Sequence, residues 1–413
     1  MDTVISRGCG LDVHKRIVVA CRRIVGPDGK VQSETRSFGT MTADLLALSD
    51  WLAEAGVTHV AMESTGVFWK PIWNMLAGPF EVLLVNAQHV KKVPGRKTDV
   101  KDCEWLAQLL QCGLLRPSFV PPLPLRELRD LTRHRAKLVK DKTAVANRIQ
   151  KVLEDANIKL ASVASDVLGV SGRQMLNAIV DGEGRPEVLA EMARKRLREK
   201  IPELRLALQG RVTPHHRFML KTLLEHLAFL EAQIARIDER VEAAMRPFAQ
   251  ELELVDTIPG VDQRNAENLL AEIGTDMTQF PSADALASWA GICPGNNESA
   301  GKRKSGKTPK GNRWLRRTLT ETAWAAAHTK NTYLSAKYQR LVRRRGKKRA
   351  IIAVAHDVLR AAYYVLTRRT SYNDLGSDYF DRMDPQRLQR YYVRRLNALG
   401  LSVTVTPVQE AAA

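Results

Sequence analysis

Acidic residues are in short supply in this chain of 413 residues: 45 Asp and Glu stand against 64 Lys and Arg, a formal surplus of +19. Cysteine is scarce too. Cys9, Cys21, Cys103, Cys112 and Cys293 are odd in number and form no CxxC pair, which argues against a zinc site and a disulfide framework and fits a reducing cytoplasm. No run of eighteen apolar residues is present, so no membrane span is expected. The opening MDTVISRGCGLDVHK lacks the apolar core of a signal peptide and reads as a first strand.

A positive surplus of this size repels itself unless a polyanion takes it up. Nucleic acid is the expected partner, because neutralising phosphates releases counterions. The plain alternative is a merely basic protein, of the kind bound to ribosomes or membrane surfaces. With 413 residues, two or three domains are expected.

Residues 1–117 alternate strand and helix patterns. A first strand ends at Gly10-Leu11-Asp12, a second covers Arg16 to Val25, and a third returns over Val31 to Phe38 after the turn Pro27-Asp28-Gly29-Lys30. A helix follows over Thr42 to Ala55, then a strand Thr58 to Met62, a helix near Phe68 to Leu76 and a strand Val82 to Val85. Three antiparallel strands, then helix, strand, helix, strand, helix, suit an RNase H-like α/β fold. Pro117, Pro121, Pro122 and Pro124 mark a linker.

Residues 118–250 read as a helical, coiled-coil region. Leu131, Leu138, Val145 and Val152 recur every seven residues, with Arg135 and Lys142 interrupting the companion seam. Leu220, Leu223, Leu227, Leu230, Ile234, Ile237, Val241, Ala244 and Phe248 alternate spacings of three and four, a heptad seam that calls for a partner helix, either within the chain or in a second copy. Residues 251–369 read as a helical C-terminal domain, and 370–413 as a docked tail with a closing strand over Leu401 to Val405. The fold class is thus multi-domain, α/β followed by α.

Two constellations carry chemistry. Asp12 lies in GLDVHK, Glu63 ends the strand VAMESTG, and Asp99 and Asp102 open a helix in KTDVKD, three residues apart and so on one face. In an RNase H-like sheet the first and fourth strands are neighbours, which lets Asp12 and Glu63 converge, with the late helix bringing the Asp pair against them. Four carboxylates in one pocket repel one another. Two divalent cations remove the conflict and, roughly 3.5 to 4 Å apart, clamp the attacking and leaving oxygens of a phosphoryl transfer. Oxygen donors suit Mg2+ or Mn2+. Read singly, an Asp in a strand is a turn or cap residue, and Asp-x-x-Asp at a helix start is a response to the helix dipole.

The second constellation is basic. Asp256-Thr257-Ile258-Pro259-Gly260-Val261 before a helix resembles a helix-hairpin-helix, with Gly260 in a turn that leaves backbone N–H groups for a phosphate, or else a plain packing corner. Residues 299–320 contain no acid and hold Lys302, Arg303, Lys304, Lys307, Lys310, Arg313, Arg316 and Arg317. Glycines there let backbone approach a ligand, the cations supply phosphate contacts, and a serine in that setting is a candidate nucleophile. Ser299 and Ser305 compete for the role, and a solvated basic loop is the alternative. Arg340, Arg343, Arg344, Arg345, Lys347, Lys348 and Arg349 form a further patch for backbone phosphate, ahead of an apolar core helix from Ile351 to Leu366.

Together these segments resemble the DEDD transposases of insertion sequences, the one-ten group, also described as bridge-RNA-guided recombinases. The resemblance spans nearly the whole chain through GLDVHK, ESTG, KTDVKDCEWLAQLL, IPGVDQRNAENLLAEIG, SAGKRKSGKTPKGNRWLRR and RAIIAVAHDVLR. It implies a RuvC-like N-terminal domain, a coiled coil and a C-terminal transposase domain. It further implies Mg2+ on Asp12, Glu63, Asp99 and Asp102, and attack by Ser299 on a DNA phosphate to give a transient phosphoserine link. Donor and target DNA, a non-coding guide RNA and a homodimer or homotetramer are the implied partners, with half-sites drawn from different subunits. Cys103 stands where the family usually has Ala. A metal-only junction-resolving nuclease would need the carboxylates but no serine, an inactive nucleic-acid-binding protein would need neither, and a sugar-kinase-like ATPase leaves the +19 charge unexplained and lacks a second glycine-rich phosphate loop.

Overall fold

Alternation of small or β-branched residues with polar ones builds a five-stranded sheet at the start of the chain. In a computed structural model, β1 (Arg7–Val13), β2 (Ile17–Val25) and β3 (Val31–Gly39) run antiparallel, while β4 (His59–Glu63) and β5 (Glu81–Val85) join β1 in parallel, giving the order β3-β2-β1-β4-β5. The structure describes residues 4–64, 66–90, 102–295, 297–299 and 301–406, with backbone alone at 88, 89, 297–299, 303 and 304. The chain divides into two compact units, Met1–Pro121 and Pro122–Ala413.

Both faces of the first sheet are covered. Cys9, Leu11 and Val13 point to one face, where Leu45, Leu48 and Leu52 of α1 (Thr42–Glu54) and Ile72 and Leu76 of α2 (Trp69–Leu76) complete a core. Gly8, Gly10 and Asp12 take the other face by the period of two. After the single turn α3 (Ala87–Val90), α4 (Asp102–Gln111) lies on that second face, with Leu106, Leu109 and Leu110 packed on Ala61 and Val85. A Cβ on Gly10 would sit 2.2 Å from the Cys103 carbonyl oxygen and 2.5 Å from the Ala107 nitrogen, so only glycine admits α4 this close. The strands and helices fall within a residue or two of those expected from the sequence.

The second unit is helical apart from one hairpin. α5 (Leu123–Asp155) and α10 (Pro214–Met245) lie side by side, with α6 (Leu160–Val163), α7 (Val170–Val180), α8 (Pro186–Glu191) and α9 (Ile201–Ala207) between them in sequence. Val145, Ile149 and Leu153 share a core with Leu220, Leu223, Leu227 and Leu230, so the long seam finds its partner inside the chain. The expected stripe on α5 is displaced. Leu131, Leu138 and Val152 are half-buried, whereas Leu128, Thr132, Arg135, Val145, Ile149 and Leu153 are buried, because a helix with a period of 3.6 drifts off a strict seven-residue repeat.

The remaining helices are α11 (Ala249–Asp256), α12 (Gln263–Ile273), α13 (Ala283–Trp289), α14 (Arg313–His328), α15 (Tyr333–Arg345), α16 (Lys347–Arg368), α17 (Tyr379–Met383) and α18 (Pro385–Asn397), with the hairpin β6 (Asn297–Ser299) and β7 (Lys302–Ser305) before α14. By length and composition α16 is apolar enough to cross a membrane, but Ile351, Val354, Val358, Leu359, Val365 and Leu366 bury its face in this unit, as a core helix requires. The expected closing strand over Leu401 to Val405 does not form. Residues 401–406 carry no strand and pair with none, and the tail is instead two helices. α17 docks through Phe380, stacked 5.3 Å from Tyr333 and covered by Arg340, while α18 buries no residue.

Gly10→Ala is expected to lower the stability of the first unit by about 1–3 kcal/mol, read as a fall in its thermal midpoint. An unchanged midpoint would mean that α4 does not rest on β1 as described.

Candidate active site and nucleic-acid interface

Asp12, Glu63 and Asp102 fall at one end of the first sheet. Asp12 is on the α4 face of β1, and the parallel register Gly10↔Ala61, Leu11↔Met62 sets Glu63 on that same face one step further on. Asp102 is the first residue of α4, and its neighbour Cys103 lies close enough to Asp12 to sense its charge. Asp99 lies outside the described residues. Among the described residues no three His, Cys, Asp or Glu side chains form a group able to hold an ion. Asp12 is instead 3.0 Å from His14 Nε2. The donors present are oxygens, the chemistry a hard divalent cation prefers, and Asp12 and Glu63 are both half-buried at the sheet's end. Burial, and after it the nearby Cys21, push the Cys103 thiol up to about 11, with Asp12 adding a smaller push. Cys103 therefore fills the cramped contact with β1 as a neutral group.

The basic segment is a hairpin with a closed neck. β6 and β7 pair Ser299 with Lys302 across Gly301, whose φ of +72° makes the turn. The backbone thus carries Ser299 to the hairpin tip, while the side chains of Ser299, Arg303 and Lys304 lie outside the described residues. Ser305 Oγ accepts a hydrogen bond from the Lys307 N–H at 3.1 Å. The glycines here serve the chain itself. A Cβ on Gly291 would lie 2.6 Å from the Gly311 nitrogen, one on Gly311 2.3 Å from the Ala290 carbonyl, and one on Gly295 2.5 Å from the Lys307 carbonyl, so glycine draws the two legs of the loop together.

The cations part company. Lys307, Arg316 and Arg345 line one cavity of about 1030 Å³. Lys302 and Lys310 are exposed. Arg317 turns to Glu321 at 2.9 Å, and Arg313 lies over the Trp314 ring. Arg343 and Arg344 are exposed at the C-terminus of α15, where the helix dipole favours positive charge. Gly260, with φ of +83°, makes the turn ahead of α12. A Cβ there would meet the Ala326 nitrogen at 2.4 Å, so the turn is a packing corner against α14, and the start of α12 is capped by Asp262 accepting from Asn265 N–H.

A buried ionic cluster, not foreseen from the sequence, joins α5 to the loop. Arg135, 3% exposed, is 2.6 Å from Glu267 on α12 and 3.0 Å from Asp238 on α10. Arg133 grips Glu272 with two hydrogen bonds of 2.7 and 2.8 Å, and Arg129 donates to the Ala271 and Glu272 carbonyls. Burial draws Arg129 down to about 10 even though Glu272 opposes the shift. Glu272 also accepts from Asn312 Nδ2 at 2.5 Å, and Asn312 Oδ1 caps the start of α14 through the Trp314 and Leu315 N–H groups. The loop's exit is therefore tied to the long helix. The one signal in the sequence is the pairing of Arg135 on an apolar seam with two acids, Glu267 and Glu272, on the apolar face of α12.

Comparison with known proteins matches both halves. Residues 9–158 fit a family model described as Transposase, of the DEDD type of IS110, and residues 252–339 fit one described as Transposase IS116/IS110/IS902 family. The chain is 26% identical over 294 residues to the Transposase for insertion sequence element IS1111A of Coxiella burnetii, covering 70% of this chain and 72% of that one. It is 26% identical over 370 residues to the Probable family 20 transposase of Pseudomonas aeruginosa, covering 88% and 94%. It is 27% identical over 304 residues to the Insertion element IS110 uncharacterized 43.6 kDa protein of Streptomyces coelicolor, covering 68% and 73%.

Two outcomes are expected. Arg135→Leu leaves Glu267 buried without its nearest cation and costs about 3–5 kcal/mol, much of which Arg135→Leu combined with Glu267→Leu restores; equal losses in denaturant melts of the single and double variants would contradict the pairing. Because the folded Cys103 thiol ionises near 11 rather than its ordinary 9.0, its contribution is full below pH 9 and is lost as pH rises through 11. The stability margin of the wild type over Cys103→Ala should shrink across that window, and a constant margin would argue against it.

Proposed function

The chain belongs to the IS110 family of DEDD transposases, enzymes that act on DNA, and on that premise we propose that it cuts and exchanges DNA strands with a carboxylate site in the first unit and a serine in the second. The reading is carried by Asp12, which shares a sheet face with Glu63 beside the helix that Asp102 begins. The order β3-β2-β1-β4-β5 supports an RNase H-like, RuvC-type domain. Asp12, Glu63, Asp99 and Asp102 would hold Mg2+ or Mn2+, which supplies Lewis-acid stabilisation of charge on the phosphate oxygens.

The residues of the chain then have distinct tasks. Ser299 Oγ bonds to a DNA phosphorus as the bridging P–O bond of that strand breaks. The serine proton leaves to solvent and the departing deoxyribose oxygen takes one up. A hydroxyl of the incoming strand next attacks the phosphoserine, closing a new phosphodiester and restoring Ser299. Bond count and charge are conserved, so no outside energy source is needed. Ser305 is the second candidate, since it borders the basic cavity, although its Oγ is held by the Lys307 N–H. Lys302, Arg303, Lys304, Lys307, Lys310, Arg313, Arg316 and Arg317 hold backbone phosphate in this reading, with Arg343, Arg344 and Arg345 beside them. A structured non-coding RNA that pairs with donor and target DNA takes up part of the +19 charge, and a homodimer or homotetramer supplies the carboxylates and the serine from different subunits.

Asp102→Ala and Ser299→Ala should each abolish strand exchange in a plasmid recombination assay while RNA binding survives. Denaturing electrophoresis should show a covalent protein–DNA adduct for the wild type and for Ser305→Ala, and none for Ser299→Ala. Loss of the adduct in Ser305→Ala alone moves the nucleophile to Ser305, and exchange without any adduct makes the enzyme a metal-only nuclease.

A further inference from the structure

The cavity beside the hairpin has two kinds of wall. Six cations, Lys307, Arg316, Lys337, Arg345, Lys348 and Arg349, line it, and no acid is among its lining residues that the structure describes. Lys307, Arg345, Lys348 and Arg349 make no ion pair among the described residues. Arg316 is held by neutral groups only, Thr308 Oγ1 at 2.9 Å and the Gly291 carbonyl at 3.4 Å, and Lys337 alone has a carboxylate, Asp357. Cations converging on a concavity repel one another unless an anion joins them. α16 also begins here, after Gly346, with no side chain capping its first N–H groups and with Lys348 and Arg349 in its first turn.

The same lining has an apolar part, Ile292, Leu341, Ile352 and Ala353, in which Ile352 and Ala353 lie one turn along α16 from Lys348 and Arg349, and it includes His356. Ile352 and Ala353 are only half-buried although they lie on a core helix. A phosphate contact to duplex backbone would use the cations and leave this floor idle. A nucleotide whose base has left the stack uses both.

We propose that the cavity seats one unstacked nucleotide of the DNA strand under exchange, its phosphate against Lys348, Arg349 and the start of α16, and its base on Ile352 and Ala353. The proposal rests on the strand-exchange reading above and adds the state of the DNA that this reading leaves open. DNA is favoured over RNA because Ser305 of the cavity lining ends the hairpin that carries Ser299, and Lys307 follows two residues later. A nucleotide held there is fixed beside the reacting loop, and its removal from the duplex frees the neighbouring phosphate for attack.

The test uses the full-length protein and fluorescent 12-nucleotide single strands of DNA, one with all its bases and one abasic throughout. The wild type should bind the base-bearing strand at least tenfold more tightly. Ile352→Asn, a neutral change, should erase that preference while the slope of log affinity against log salt is kept. Lys348→Ala with Arg349→Ala, both exposed positions, should weaken both strands at least tenfold and flatten the slope. Equal wild-type binding of the two strands, or a preference that survives Ile352→Asn in a protein that melts as the wild type does, would overturn the seat. So would an RNA 12-mer of the same sequence bound tenfold more tightly than the DNA. A wild type that forms its DNA adduct yet shows equal binding sinks the cavity proposal alone, whereas absence of both adduct and DNA binding sinks the strand-exchange reading with it.

Discussion

Helix α4 reaches the sheet because position 10 of the chain has no side chain. The two backbones meet at Gly10 with room for nothing larger than hydrogen, and Cys103 and Ala107, the residues of α4 on that side, are small. Everything the first unit offers chemically follows from this contact. The period of two puts Asp12 on the same face two residues further along, the parallel register adds Glu63, and the direction of the helix sets Asp102 at its near end. A carboxylate edge of this kind needs its backbone fixed before its charges are brought together, since like charges would otherwise drive the elements apart.

In the second unit, buried charges do the corresponding work. Three arginines of α5 enter the interior against Glu267 and Glu272, and Glu272 passes the constraint to Asn312 and so to the first turn of α14. Such a cluster is costly to desolvate and is weak evidence for extra stability; what it fixes is how α5, α12 and α14 meet. Here the arrangement it defines is the base of the hairpin. Gly291, Gly295 and Gly311 close the neck from the other side. Legs tied in this way and a short two-stranded tip hold Ser299 more accurately than a free basic loop would.

The elements of the first unit were readable from the sequence nearly to the residue, because its strands alternate cleanly and Pro27-Asp28-Gly29-Lys30 has unambiguous turn chemistry. The α10 seam was equally plain, although periodicity alone left open whether its partner lay within the chain. Where the sequence misled, tertiary context was the cause. Arg135 looked like a break in a seam, and its acids lie more than a hundred residues away. Leu401 to Val405 has strand composition but no strand to pair with. The glycines near the hairpin suggested access for a ligand, and Gly291, Gly295 and Gly311 accommodate backbone of the chain itself, whereas Gly301 at the tip has open space around it. Lys337 and His356, on separate helices, gave no signal that they would face Lys307 across one cavity.

Charge unites the two units in one account. Asp12 and Glu63 share a sheet end in the first, six cations line a cavity beside the serine-bearing hairpin in the second, and in the proposed function each unit acts on DNA. The most direct measurement is anomalous scattering from Mn2+ in crystals of the protein bound to DNA. The account requires a manganese peak in contact with the carboxylates of Asp12 and Glu63; a DNA-bound enzyme whose manganese lies away from both residues would contradict it.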